Sequence, residues 1–357
     1  MAFQVQAAKP GVCSSQIINH VNIGLILLSF AIALYLPFEL FLFAYAILGP
    51  GHYLTEISWL HKRHFFTKGS YDAWLLAGLA AVTSAFAAFT FGPLKQIGAS
   101  HHMATVFGMA FGSGLVFFLT EKASARLVGL ALVATVSLVA VNTSAFVVMV
   151  LALFVPTLIH VYVFTGFFII FGALKERSVS GYITFVCFLL CPVLYLFIHP
   201  AKFEPSNYIV QSYWNAFSVV NTTLLGLGAP HSQAQMDENV RRVFASDMGL
   251  TVMRFLAFAY TYHYLNWFSK IAIDKWHNVP VRRLALIGVL WAACIVVYIY
   301  NYSQAVKVLF CLSFLHVFLE FPLNHMSIIG VFRELTGPKD FPRRAVAKAK
   351  LHRTAIP

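Results

Sequence analysis

Charge is scarce in this 357-residue chain: Asp, Glu, Lys and Arg make up 11% of it, against 59% apolar residues. With a mean hydropathy of +0.76, that balance excludes an ordinary soluble enzyme and a disordered chain alike. No Gly-rich phosphate loop, Ser-His-Asp signature or soluble nucleotide-binding unit is present, so the common hydrolase and nucleotide chemistries have no footing. The five cysteines (Cys13, Cys187, Cys191, Cys294 and Cys311) form no zinc spacing and read as small buried thiols. Residues 1–18 are mixed and polar with no apolar core before a small-residue site, so the first span is expected to act as its own insertion signal.

Long apolar runs dominate instead. Stretches near the length needed to cross a bilayer, about 20 residues for a helix, recur over 19–36, 39–60, 72–92, 102–120, 127–142, 145–173, 181–198, 250–270, 284–301 and 305–330. The fold class expected is all-α, a polytopic integral membrane helix bundle of about ten transmembrane segments. Lys and Arg outnumber Asp and Glu by 25 to 13, but the basic residues lie between apolar segments rather than along one face, so no nucleic-acid partner is expected. They alternate by loop, and the positive-inside rule puts both termini in the cytoplasm of a cell (inner) membrane protein. The organisation read from this is a cytoplasmic segment over 1–18, a transmembrane domain over 19–330 and a basic cytoplasmic tail over 331–357.

Ionisable residues inside apolar spans are costly and are retained for function. The stretch Leu48-Gly-Pro-Gly-His52-Tyr-Leu-Thr-Glu56 sets a histidine and a glutamate four residues apart after a helix-breaking triplet. At that spacing both side chains point the same way, able to hold one cation between them. The arrangement returns as His316-Val-Phe-Leu-Glu320. Between the two lie His101-His102 at the start of the fourth span, His160 one turn after Pro156, and His263 in an aromatic segment with Tyr260 and Tyr262. The expected metal ligands are His52, Glu56, His101, His102, His160, His263, His316 and Glu320, with Tyr260 and Tyr262 as candidate catalytic phenols. Gly49-Pro50-Gly51 is expected to kink or unwind the second span. The residues from Tyr213 to Pro230 are expected to form an interfacial or re-entrant cap within a long polar connection.

Imidazole with carboxylate and without thiolate is the donor mixture of non-haem iron, manganese or zinc. Beside lipid-like carbon, oxygen activation ranks iron first, as one or two ions, with zinc and manganese below it. The function expected is a membrane-integral non-haem iron oxygenase that takes O2 and a lipophilic substrate such as a carotenoid or other lipid, among membrane lipids. Two other classes stay open: a proton- or metal-coupled transporter, favoured by broken helices and buried acids, and a haem-binding quinol oxidoreductase with paired axial histidines.

The pattern resembles the Brp/Blh family of membrane β-carotene dioxygenases. The family's early Gly-x-Pro-His-Gly-x-x-Asp is similar to the stretch Leu48 to Glu56, with glutamate for aspartate and a shifted proline. Its second histidine, before Phe-Gly, is similar to His101-His102-Met-Ala-Thr-Val-Phe107-Gly108, its late aromatic helix to Phe258-Ala-Tyr-Thr-Tyr-His263, and its closing helix to His316-Val-Phe-Leu-Glu320. The resemblance implies an iron-dependent oxygenase. Desaturases and alkane hydroxylases need His-x-x-His-His boxes, and the chain has none.

Overall fold

A computed structural model describes residues 12–90, 99–200, 204–270 and 279–336, and among them the chain is helical with no β-strand. In chain order the helices are α1 (Val12–Tyr35), α2 (Pro37–Phe43), α3 (Gly49–Lys62), α4 (Asp72–Thr90), α5 (Ala99–Leu119), α6 (Ala123–Thr143) and α7 (Ala145–Met149). There follow α8 (Thr165–Glu176), α9 (Val179–Leu194), α10 (Asn207–Leu224), α11 (Gln233–Ala245), α12 (Asp247–Ser269), α13 (Val281–Tyr300) and α14 (Tyr302–Thr336). Two π-helical stretches, Ala44–Leu48 and Val150–Phe164, join α2 to α3 and α7 to α8.

Six of these helical units are long and apolar enough to cross a bilayer, and the pair α11 and α12, bent by 62° at its junction, makes a seventh. The ten predicted segments fall largely on helix, but α4 and α9 are shorter apolar helices and the segment 39–60 is divided into α2, a π stretch and α3, so among the described residues the count of units with the length and apolarity of a span is six or seven rather than ten. Leu127, Val128, Val289 and Ile299 are all at least two-thirds exposed, on faces that water would not tolerate as a continuous surface. This is a membrane protein.

Helix α12 is the axis of the bundle. It is buried along most of its length, packed against α1, α2, α11 and both π-helical stretches. α14 is its counterpart in the other half, packed against α3, α4, α5 and α8. Two aromatic cores result, one around Phe38, Tyr213 and Phe258, the other around Phe107, Phe318 and Phe321.

Three boundaries differ from expectation. α1 begins at Val12, inside the predicted polar segment, and α14 runs to Thr336, inside the predicted tail; residues 337–357 lie outside the described residues. The long polar connection contains two helices, α10 and α11, each opened by a serine: Ser206 Oγ accepts from Ile209 N and Ser232 Oγ from Gln235 N. Their polarity belongs to one face: on α11, Glu238 pairs with Arg241 and Arg242 outside while Val243 and Phe244 are buried.

Gly49-Pro50-Gly51 does not unwind the chain. Gly49 keeps right-handed helical angles and its N–H reaches back five residues to Ala44 O. The widened π turn accommodates the missing proline N–H, and Pro156 sits in the second π stretch in the same way. Trp291 of α13 seals the first of these turns, its Nε1 donating to Ile47 O at 2.7 Å. A Cβ on Gly51 would come within 2.6 Å of the Trp291 ring.

The bend between α11 and α12 depends on Gly249. Ser246 Oγ accepts from Gly249 N at 3.0 Å, and a Cβ at Gly249 would lie 2.1 Å from Arg242 O and 2.6 Å from Val243 O. Those are backbone atoms, so the clash cannot be relieved by a rotamer. Gly249→Ala is expected to cost about 3 kcal/mol, read as a lower unfolding midpoint in detergent, whereas Gly78→Ala, with open space around its Cβ, should leave the midpoint unchanged.

Candidate metal centre

Four histidines from four parts of the chain meet between α12 and α14: His52 of α3, His160 of the second π stretch, His263 of α12 and His316 of α14. All are buried, at 1%, 2%, 6% and 1% exposure. Their rings form a closed square, with centroid separations of 4.7 Å (His52 to His263), 4.9 Å (His263 to His160), 4.9 Å (His160 to His316) and 5.2 Å (His316 to His52), each pair steeply inclined. The Nε2 atoms point inward: those of His160 and His316 lie 3.0 Å apart, and those of His263 and His52 lie 3.1 Å apart. One ligand atom from each of the four lies within 4.8 Å of the others.

The outward nitrogens show why the inward ones are ligands in waiting. His316 Nδ1 donates to Ser313 O at 2.6 Å, which fixes its proton there and leaves a lone pair on Nε2. His263 Nδ1 is hydrogen-bonded to Thr165 Oγ1 at 2.8 Å, and His160 Nδ1 lies 3.4 Å from Glu320 Oε2. A hydrogen-bond partner on the far nitrogen, as at His263 and His316, is how proteins orient metal-bound imidazoles, whereas His52 Nδ1 and His160 Nδ1 make no hydrogen bond. At metal–nitrogen bonds of about 2.1 Å, two donors at right angles stand about 3.0 Å apart, the spacing within each of the two Nε2 pairs.

The carboxylates complete the centre. Glu56 Oε2 lies 3.1 Å from His52 Nε2, and Glu56, His316 and Glu320 form a second group whose ligand atoms lie within 4.8 Å of one another. Both glutamates are 2% exposed. Glu320 Oε2 accepts no hydrogen bond, a costly state for a buried carboxylate unless a cation is near.

Of the eight ligands expected from sequence, the structure brings six together and leaves out two. His101 and His102 are exposed in the first turn of α5, and His102 stacks on Phe86 at 5.3 Å. The buried part of α5 starts just after them, at Ala104 against Val141 and Val148, and continues to Phe107, which meets Phe314 and Phe318 of α14. The two phenols also divide. Tyr260 lines the cavity described below, whereas Tyr262 turns toward α1 and α9, its hydroxyl donating to Asn22 Oδ1 at 3.2 Å and its ring packed on Phe188 and Phe258.

The phenols nearest the centre are two that sequence reasoning passed over. Tyr53 stacks on His316 at 4.2 Å, Tyr264 lies 5.3 Å from His52, and their hydroxyls are hydrogen-bonded at 2.9 Å. Each directly follows a histidine of the cluster in the chain, and that adjacency was the available signal. The Ser313 carbonyl had none, because a backbone acceptor carries no side-chain signature.

A cavity of about 400 Å³ runs from His160 and His316 toward α10 and the start of α5. Tyr45, Tyr53, Tyr260 and Tyr264 are part of its wall, as are Ser100 and Asn215, both exposed. Its lining contains no Asp, Glu, Lys or Arg. Comparison of the chain with protein families, with curated proteins and with solved structures finds no match.

Proposed function

We propose that this protein is a membrane-integral non-haem iron oxygenase whose single iron is held by His52, His160, His263 and His316, acting on a lipophilic substrate with O2. The observation that carries the reading is the convergence of four buried histidines, with one ligand atom of each within 4.8 Å of the others and two Nε2 pairs at 3.0 and 3.1 Å, beside two buried carboxylates that supply the negative charge a divalent cation requires at low dielectric. Glu56, 3.1 Å from a ligand nitrogen, is placed as a fifth donor, and Glu320 orients His160. Iron supplies dioxygen activation when bound; the chain's own residues position it and keep water out. Tyr53 and Tyr264 line the cavity together with His160 and His316, and the cavity's aromatic lining offers an apolar substrate a site next to the centre.

Two observations favour this over the other classes. The imidazoles pack edge to face at 4.7 to 5.2 Å, which leaves no slot between facing histidines for a porphyrin. The uncharged, aromatic lining of the cavity is a poor path for ions, which the transporter reading needs. Motif order, His52 and Glu56 first and His316 and Glu320 last, supports a relation to the Brp/Blh oxygenases. In that relation His160 stands where the pair His101-His102 was expected. About ten spans in a cell membrane, with both termini cytoplasmic, complete the proposal.

The test is elemental analysis of the detergent-purified protein together with its visible spectrum. About one iron per chain and no Soret band is the expected result. An intense Soret band, or protein that binds no metal after reconstitution with ferrous iron, overturns the reading.

A further inference from the structure

A continuous line of phenols leads away from the histidines. Tyr53 of α3 stacks on His316 at 4.2 Å and lies 6.0 Å from Tyr264 of α12. From Tyr264 the ring centroids step 6.3 Å to Tyr260, 6.1 Å to Tyr45 of the first π stretch, 6.5 Å to Tyr298 of α13 and 5.0 Å to Tyr302 of α14. Separations of this size put neighbouring rings in the range of stacked and edge-to-face aromatic pairs. All six are buried. They come from five different elements of the fold, so no local helix spacing accounts for the run.

Both ends have polar partners. At the inner end the hydroxyls of Tyr53 and Tyr264 are hydrogen-bonded to each other at 2.9 Å. At the outer end Tyr302 donates its hydroxyl to Leu42 O at 2.9 Å and lines a polar depression together with Gln211, Asn301 and Gln304, all three exposed. Phenylalanine fills an aromatic core without a hydroxyl to satisfy, and the chain uses it 35 times against 15 tyrosines. Every position in this line nevertheless carries the oxidisable phenol.

We infer that the six tyrosines are an electron relay between the metal centre and the polar face at Tyr302. The inference rests on the iron reading above, because the relay needs an oxidant, here a peroxide reduced at the ferrous centre. Two phenols each give up one electron and one proton, the O–O bond of one hydrogen peroxide breaks, and two waters and two phenoxyl radicals result. In each hop a phenoxyl takes an electron and a proton from the next phenol, and between Tyr53 and Tyr264 the 2.9 Å contact carries the proton. At Tyr302 a water-soluble reductant such as ascorbate supplies two electrons and two protons, restores two phenols and leaves as dehydroascorbate. A peroxide that reaches the centre without substrate is thereby discharged at the surface rather than on the histidines.

The test uses the full-length protein in detergent, loaded with ferrous iron, mixed with hydrogen peroxide and freeze-quenched for electron paramagnetic resonance. Wild type is expected to show a tyrosyl radical that added ascorbate removes. Tyr298→Phe keeps the ring and breaks the relay between Tyr45 and Tyr302: the radical should still form at unchanged iron content, but its removal by ascorbate should slow at least tenfold. Tyr162→Phe is the control, since Tyr162 packs on Phe188 and Phe255 away from the line, and should match wild type. Iron-loaded protein with no tyrosyl signal, or equally fast removal in wild type and Tyr298→Phe, overturns the relay and leaves the metal centre standing. Protein that takes up no iron overturns the oxygenase reading and the relay with it.

Discussion

His160→Ala is expected to strip the chain of its metal, with occupancy under limiting iron falling well over tenfold. The ring it removes sits at a corner of the square, its Nε2 3.0 Å from that of His316 and its Nδ1 3.4 Å from Glu320 Oε2. The substitution therefore deletes a donor and also withdraws the nearest polar neighbour of a carboxylate that accepts no hydrogen bond. Losing a supporting partner alone typically costs 10 to 100-fold in metal affinity, and loss of the donor itself exceeds that. The second effect adds a stability penalty of about 3 kcal/mol, the usual order when one member of a buried charged or hydrogen-bonded pair is removed. The measurements are iron per chain and the unfolding midpoint in detergent. The double variant His101→Ala/His102→Ala is the control: both side chains are exposed at the start of α5, so full iron content is expected. If His160→Ala keeps its iron, or if the control loses it, the ligand set argued above is wrong.

That control marks where the sequence was and was not a sufficient guide. The helical class, the membrane setting and the buried grouping of His52, Glu56, His160, His263, His316 and Glu320 were legible because an imidazole or carboxylate among apolar residues has few reasons to be there. The same rule misled at His101 and His102. Sequence shows that a histidine borders an apolar run, but not whether the helix end that carries it is covered by neighbours, and here the covering of α5 begins two residues later, at Ala104. Proline was a signal read in the right places with the wrong outcome. Pro50 and Pro156 mark both helices as irregular, yet the chain answers by widening its turns into π helix rather than by opening. A π turn displaces every later side chain around the helix axis, and that rotation is set by packing against elements such as Trp291, which no local pattern encodes. The amphipathic helices α10 and α11 were hidden for a related reason: their polar residues lie on one face, and composition averages the two faces together.

Glu320→Gln should lower iron affinity by about 10 to 100-fold, and the way it does so separates charge from geometry. Glutamine keeps the length of the side chain and one carbonyl oxygen near His160 Nδ1, so a loss cannot be assigned to a cavity. What disappears is the negative charge that the centre sets against a cation, and at low dielectric that deficit is poorly screened. If charge alone matters, Glu56→Gln, on the opposite helix but with its carboxylate 3.1 Å from His52 Nε2, should produce a loss of similar size, and the double variant should lose more than the sum, because the first substitution leaves the second carboxylate as the sole counter-charge. If orientation of His160 is the larger part, Glu320→Gln should shift the ligand-field bands of the remaining iron while Glu56→Gln changes only its amount. Titration of each variant with ferrous iron, followed by metal content and visible absorption, distinguishes the two. Wild-type affinity in both single variants would mean that the carboxylates are neutralised by other means, and the case for a cation among the four histidines would then rest on nitrogen lone pairs alone.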